Sequence, residues 1–310
     1  MKIITGKSGL LNKPVALAIG TFDGMHLGHK YLLNRLVEIS KQNSYCSMVY
    51  TFGKHPTASI DPNNMPPLLM SFKQKLVEFK KMRLDYVFIQ NFDLRFSEIS
   101  SIAFITDLCK NYDIRHIVVG YDFKFGHKGT GNVSLLKELS LGEGFEVTII
   151  PPYKIDDQVV SSSLIRNLIK QGKVKEVTKF LGFPYSLCGD VVTGFHRGTK
   201  IGFPTANLQF SKHSAVPGDG VYLTRSVIDG KEYWGATSVG SNPTFSQEGI
   251  HVETHFLNFN SDLYGKRLKL FFLEKLREQI RFDTIDDLTR QISKDVNQIK
   301  YIVCKNRKLC

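Results

Sequence analysis

The sequence predicts an α/β domain with a parallel sheet, followed by a small closed β-barrel that ends in a helix. Three observations carry this expectation. The 310 residues exceed the length at which a single hydrophobic core usually stops growing. Between Val15 and Ile150, short β-rich runs alternate with helical periods, the pattern of a parallel sheet flanked by helices. Beyond Pro184 the pattern changes to strands separated by Gly and Pro turns, and several strands at that spacing point to a barrel closed to protect its edges.

In chain order, VALAIGT (residues 15–21) reads as a buried strand and LGHKYLLNRLVEISK (27–41) as the helix that follows it. CSMVYTF, FKQKLVEFKKM, YVFIQ, a helix through Phe104, HIVVG, LLKEL and FEVTII continue the alternation to Ile150. Open sheets of this kind bind ligands beyond the carboxyl ends of their strands, which directs attention to the loops after Thr21, Phe52 and Gly120. SSSLIRNLIKQGKVKEVTKFLG (161–182) reads as two short helices. The expected strands of the second half are SLCGDVV, GVYLTRSVI, YWGATSVG, HVETHFLNF and RLKLFFLEKL, with a helix from about Thr284 onward. The expected domains are residues 1–183 and 184–310.

Composition sets the broad class. With 42% hydrophobic and 23% charged residues the chain matches ordinary globular proteins rather than disordered or fibrous ones. No stretch approaches the ~18 uninterrupted apolar residues of a membrane span, and the first residues lack the apolar centre and cleavage site of a signal peptide. A cytoplasmic protein is expected. The five cysteines are widely spaced with no CxxC pair, so reduced thiols are the default. A net charge of +12 invites a nucleic-acid reading, yet the charge is spread in runs such as Lys73 to Lys81 that read as solvated helix faces. Neither a nucleic-acid nor a membrane partner is expected, and the expected state is a monomer or weak homo-oligomer.

The first chemical constellation is GTFDGMHLGHKYLL (20–33), which passes from a buried strand directly into a helix. Gly20 and Gly24 permit close backbone approach, and His26 and His29, three apart, can point the same way at the helix N-terminus. Backbone N–H groups, the helix dipole and two imidazole donors together suit phosphates. Surface histidines or a metal pair are the competing reading of HxxH alone; strand, Gly, Asp, HxGH and helix in that order favour phosphate. Gly6, Lys7 and Ser8 mimic the end of a P-loop, but the first glycine of that loop would fall at Met1, so no such loop is present.

GTFDGMHLGH resembles the nucleotide-binding signature of the HxGH nucleotidyltransferases. TFGKHP (51–56), GYDFKFG (120–126), SSSLIR (161–166), GFPTANL (202–208), GVY (220–222), NPTF (242–245) and VETHFLNF (252–259) resemble one branch in its own order, the bifunctional riboflavin kinase/FAD synthetases. The likeness covers nearly the whole chain, and GFPTAN and HxGH each mark a different half of that enzyme. It implies a Rossmann-like nucleotidyltransferase domain followed by a barrel of the riboflavin kinase type.

For the first half, the resemblance implies transfer of AMP from ATP to FMN with release of pyrophosphate and no covalent intermediate, so that catalysis is alignment of two anions and neutralisation of charge. His26, His29 and Arg166 would supply donors, with Mg²⁺ between phosphates. Gly20, Phe22 and Asp23 would shape the ATP site, and Ser162 and Ser163 would bond phosphate oxygens or serve as an ordinary N-cap. His55, Asp122, Phe123 and Phe125 fall in segments placed against flavin and adenine, although aromatics two apart also fill sheet cores. Gly129 and Asn132 stand where Arg and Asp are frequent in the family, and Gly53 and Lys54 where Glu or Asp and Pro are common.

The second half would transfer the γ-phosphoryl of ATP to the ribityl hydroxyl of riboflavin, giving FMN. GFPTAN offers Thr205 and Asn207 as oxygen ligands for Mg²⁺. The segment from Gly194 to Gly202 can fold over phosphates through its N–H groups, with Arg197 and Lys200 adding charge, or act as a flexible hairpin loop. Glu253 is the expected general base, an acid among apolar neighbours on a strand that puts His251, Glu253 and His255 on one face. Arg277 would line the flavin side or form a helix-surface salt bridge. Two other readings remain open at this point: a riboflavin kinase whose adenylyltransferase half has decayed, and a non-catalytic flavin- or nucleic-acid-binding regulator.

Overall fold

A computed structural model of the chain describes residues 1–6, 11, 13–194, 198, 201–241 and 249–307. It forms two compact units, Met1–Ser162 and Ser163–Cys310.

The first unit is built on six parallel strands, β1 (Lys2–Thr5), β2 (Val15–Ile19), β3 (Cys46–Phe52), β4 (Tyr86–Gln90), β5 (Ile114–Gly120) and β6 (Glu146–Ile150), in the order β1-β4-β3-β2-β5-β6. Its helices are α1 (Leu27–Gln42), the single turns α2 (Thr57–Ile60) and α4 (Leu94–Ser97), α3 (Phe72–Lys81), α5 (Ser101–Asn111) and α6 (Val133–Glu143). Every residue of β2 is buried, because both faces of this central strand are covered. Its alternation separates the two layers. Ala16 and Ala18 face Leu33, Leu36 and Ile39 of α1 and Phe79 of α3, while Val15, Leu17 and Ile19 face Phe104, Ile105 and Leu108 of α5 and Leu136 of α6. Small residues on one side let α1 and α3 pack close; large ones fill the other. Ser71 and Gln74 form a capping box on α3, and Asn132 caps α6 through bonds from Ser134 and Leu135 N–H at 3.0 Å. A small hairpin of β7 (Lys154–Ile155) and β8 (Gln158–Val159) completes this unit.

α7 (Ser162–Lys170), which starts at the last residue of the first unit, and α8 (Val174–Leu181) are the two short helices expected. Six strands follow: β9 (Ser186–Val192), β10 (Ala206–Phe210), β11 (Gly220–Ile228), β12 (Lys231–Ser241), β13 (Ile250–Phe256) and β14 (Arg267–Arg277). They close antiparallel in the order β10-β13-β12-β11-β14-β9, with β9 returning to β10. Asp229 and Gly230, both left-handed, make the tight turn from β11 to β12. Inside the barrel the hydroxyls of Thr224, Thr237 and Thr254 run in a chain at 2.7 and 2.8 Å, all fully buried and satisfied. The last helix, α9 (Ile285–Arg307), lays Ile292, Val296, Ile299 and Val303 on the outer barrel face against Leu223, Trp234, Ala236 and Leu273. Beside that seam the Asp295 carboxylate takes Arg277 Nε at 3.0 Å and Nη2 at 2.8 Å, and Gln291 Nε2 at 2.9 Å.

Four strands were not expected: the two of the small β7–β8 hairpin, β1 and β10. β1 has four residues and one buried position at the sheet edge, too little to show a period. β10 begins inside GFPTAN, where Thr205 and Asn207 taken alone would suit a turn, yet it pairs with both β9 and β13. The run from Lys73 to Lys81 also needs correction: its face is not wholly solvated, since Lys75 is only 8% exposed.

Arg277 and Asp295 are 17% and 4% exposed, so removing the carboxylate strands a largely buried guanidinium. Asp295→Ala is expected to destabilise the second unit by about 3 kcal/mol. Denaturant unfolding read by Trp234, the chain's single tryptophan, would check this because it lies under α9.

Candidate functional site

In the first unit β2 lies between β3 and β5, and the chain leaves it for β3 on one side and returns to β5 on the other. The loops after Thr21, Phe52 and Gly120 therefore stand side by side at a topological switch point. The turn from β2 into α1 is left-handed at Phe22 (φ 50°), Gly24 (φ 83°) and Met25 (φ 42°). Gly24 is required twice over, by its φ and because a Cβ there would lie 2.6 Å from Leu69 Cδ1. Phe22 and Met25 are buried, which holds the strained backbone in place.

The turn delivers two stacked imidazoles. The rings of His26 and His29 lie 3.6 Å apart at 16°, with the edge of Phe22 against His29. His26 caps α1: its Nδ1 accepts the His29 N–H at 3.2 Å, which leaves Nε2 to carry the ring proton. His29 is half-buried as a residue, but its Nδ1 is shielded from solvent and has no hydrogen-bond partner among the described residues. Burial first, then the coulombic influence of His26 and of the Lys75 ammonium, push its pKa well below the ordinary range. It is therefore a neutral donor at physiological pH.

Asp23 is buried and turns its carboxylate to the Leu69 N–H at 3.1 and 3.2 Å, while its carbonyl accepts the Ser162 hydroxyl at 2.9 Å. Gly20 donates to Tyr50 O at 3.1 Å, and the Phe22 ring covers its α-carbon. His55, in the loop after β3, accepts the Thr57 N–H on Nδ1 at 3.3 Å. Asp122 is exposed, with its carboxylate against Gly120. Phe123 and Phe125 stack on one another at 5.3 Å, and Phe125 is a core residue packed near Phe104. Arg166 and Ser163 lie on α7 in the second unit, half-buried and exposed respectively.

One residue of the first site escaped the sequence reading. Lys75, from α3, drives its ammonium under the strand ends, donating to Thr21 O at 2.9 Å, Thr51 Oγ1 at 3.3 Å and Phe52 O at 3.3 Å. Burial lowers its pKa to about 8, partly offset by Asp23. The available signal was its place four residues before Phe79, on the apolar face of the helix.

In the second unit, pairing builds the site. Glu253 on β13 stands opposite Asn207 on one side and Ser238 on the other. Val252, Thr254 and Phe256 are buried, whereas His251, Glu253 and His255 share the half-exposed face. The neighbours of Glu253 across the sheet are thus polar, not apolar as expected. Ser238 Oγ is held by Gln279 Nε2 at 2.8 Å. His255 Nδ1 lies 2.9 Å from Pro204 O and its ring meets Phe203 edge-on, so it braces GFPTAN. A Cβ on Gly194 would fall 2.0 Å from the Asn207 amide nitrogen, so a larger residue there would displace the Asn207 side chain. Phe203 N–H donates to Gly198 O at 2.8 Å, and Gly202 adopts φ 81°. Arg197, Lys200 and Asn242 to Phe245 lie outside the described residues.

Among the described residues no group of three or more His, Cys, Asp or Glu could hold a metal ion. Thr205 and Asn207 present neutral hard oxygens near one carboxylate, a donor set that fits Mg²⁺ sharing its shell with phosphates and water rather than a transition metal.

Comparison with known proteins accords with two sites in one chain. The FAD synthetase family profile matches residues 10–164 and the riboflavin kinase profile residues 181–303. Proteins named bifunctional riboflavin kinase/FMN adenylyltransferase are similar over almost their full length. That of Buchnera aphidicola (subsp. Schizaphis graminum) is 33% identical, covering 97% of this chain and 98% of its own. That of Listeria monocytogenes is 30% identical over 93% and 92%, and that of Escherichia coli K12 31% over 95% and 96%. A solved structure from Streptococcus pneumoniae, described as a macrolide-efflux protein, superimposes with a TM-score of 0.87 at 29% identity, covering 96% of this chain and 98% of its own. No helix among the described residues is long and apolar enough to cross a membrane.

The neutral state of His29 has a consequence for stability. The unfolded chain takes up a proton near pH 6.5 while the native state resists it until well below, so stability is lost as pH falls through that window. At its steepest this is ~1.4 kcal/mol per pH unit from one group. Denaturation at pH 7 and 5.5 should show a smaller loss for His29→Asn than for the wild type.

Proposed function

The chain belongs to the bifunctional riboflavin kinase/FMN adenylyltransferases, and on that premise we propose that the barrel unit phosphorylates riboflavin to FMN and the parallel-sheet unit adenylylates FMN to FAD, each from ATP. One observation carries the reading: the same polypeptide holds a stacked imidazole pair at a switch-point helix N-terminus and a carboxylate in register with Asn207 of GFPTAN. Nothing favours the decayed-domain or regulator readings. Asn132, where the family often has Asp, still caps its helix.

In the kinase step Glu253 accepts the proton of the ribityl hydroxyl as its oxygen attacks the γ-phosphorus and ADP departs. Its place between Asn207 and Ser238 gives the carboxylate polar neighbours on both sides that help aim it. Thr205 and Asn207 would hold Mg²⁺, which when bound neutralises phosphate charge. Gly194, Arg197 and Gly202 would lie along the phosphates.

In the adenylyl step an FMN phosphate oxygen attacks the α-phosphorus of ATP and pyrophosphate leaves. His26 donates through Nε2–H, and His29 through its ring N–H, to oxygens that gain charge in the transition state. Because the His29 imidazole is neutral it orients and hydrogen-bonds rather than giving up a proton. The resemblance adds Gly20, Phe22 and Asp23 as the walls of the ATP site, and Ser162, Ser163 and Arg166 as phosphate donors. It puts His55, Asp122 and Phe123 beside adenine or flavin. Phe125 backs Phe123 from the core, and in the barrel unit Arg277 would line the flavin side with its guanidinium held by Asp295 on α9.

A time course with riboflavin, ATP and Mg²⁺, resolved by chromatography, should show FMN and then FAD. Glu253→Gln should abolish FMN formation, by at least ~10³-fold, while supplied FMN is still adenylylated. His29→Ala should reverse this, accumulating FMN without FAD; wild-type FAD production by that variant would remove His29 from its role.

A further inference from the structure

The parallel-sheet unit contains a buried charge that the adenylyl step, as described, does not use. Lys75 is 8% exposed and its three hydrogen-bond partners, Thr21 O, Thr51 Oγ1 and Phe52 O, are all neutral. The carboxylate that senses it, Asp23, turns its oxygens to the Leu69 N–H. Around it lies an apolar cluster that includes Phe22, Phe79 and Val87, and the Phe72 ring stands 5.3 Å from the ammonium. Burying a cation among neutral partners is costly, and a neutral side chain could fill the same space between α3 and the strands. As a strut alone, a lysine is a poor choice.

Its location gives the charge a use. Thr21 lies between the last residues of β2 and Phe22, whose ring edge touches His29, and Thr51 and Phe52 end the adjacent β3. The ammonium thus ties together the carboxyl ends of two central strands where the phosphates of the proposed reaction would lie. The imidazole pair above offers donors, while His29 itself carries no charge to set against a triphosphate.

We propose that Lys75 is a positioning residue of the adenylyl-transfer site, clamping the ends of β2 and β3 and supplying fixed positive charge to the phosphates of ATP from beneath the turn. The inference rests on the adenylyltransferase reading of this unit. Its pKa near 8 means that an arriving polyanion stabilises the charged form, so binding and protonation reinforce each other. The other titratable groups facing it are Asp23 from the turn and His29 from α1, and burial holds the His29 pKa well below its ordinary value. Among the described residues β3 presents it the Thr51 hydroxyl and the Phe52 carbonyl, and α3 the Phe72 ring, none of them titratable.

The test uses the full chain with Lys75→Met and Lys75→Arg, assaying adenylylation of supplied FMN and, separately, phosphorylation of riboflavin. The expected result for Lys75→Met is a KM for ATP raised about 30-fold in the adenylyl step, the size of a lost charged hydrogen bond. Riboflavin phosphorylation should be unchanged and Lys75→Arg should recover to within about fivefold. A wild-type KM in Lys75→Met, or equal losses in Met and Arg, would overturn the inference, the second by showing that charge is not what matters. If Lys75→Met does not fold, the wild type and Lys75→Arg are compared between pH 7.5 and 9.5. A KM that rises with pH in the wild type alone supports the proposal, and parallel profiles overturn it. A wild-type chain that makes no FAD from FMN would instead overturn the adenylyltransferase reading itself.

Discussion

The turn between β2 and α1 is the constraint on which the first unit depends. β2 is buried on both faces, so the chain must leave a crowded sheet at Gly20 and be helical by Leu27. It does so through three left-handed residues, two of which are not glycine. Such backbone costs of order 1–3 kcal/mol per residue, and the burial of Phe22 and Met25 offsets it at about 1.5–3 kcal/mol per side chain. Everything chemical in this unit hangs from that turn. His26 becomes the helix cap, His29 stacks on it, Asp23 reaches Leu69, and Lys75 rises from α3 to hold Thr21. Segments distant in sequence converge on a few backbone atoms.

The second unit solves placement differently. No strained turn presents Glu253; strand pairing does, setting it between Asn207 and Ser238 while its neighbours in sequence point into the barrel. Closure of the barrel removes free edges, and the threonine chain inside shows that its interior tolerates polarity where every hydroxyl in the chain is satisfied by another. α9 then covers one outer face, with the Arg277–Asp295 pair fixing its register at a point where apolar contacts alone would allow sliding.

Much of this was legible before any coordinates. Strands such as VALAI and GVYLTRSVI announce themselves because period and β-branched content agree, and the imidazole pair is marked by an order of residues rather than by histidines alone. What stayed hidden was hidden for physical reasons. Lys75 looks like Lys73 and Lys80 in composition, and only the helical phase relative to Phe79 separates a buried ammonium from a solvated one. Phe123 and Phe125 share a spacing that suits either a ligand or a core, and tertiary contact with the Phe104 layer decides for Phe125. The polar flanks of Glu253 belong to strands whose register depends on turns far away in sequence.

That register gives the barrel a reading frame. Side chains alternate along β13, so adding or deleting one residue between His251 and Phe256 would turn Glu253 into the interior and expel Val252 or Thr254. The same change at the Asp229–Gly230 turn would alter a loop and leave the frame intact. Divergence among chains of this architecture should therefore accumulate as length variation at the turns, whereas the strand bearing the carboxylate can change its letters but not their number.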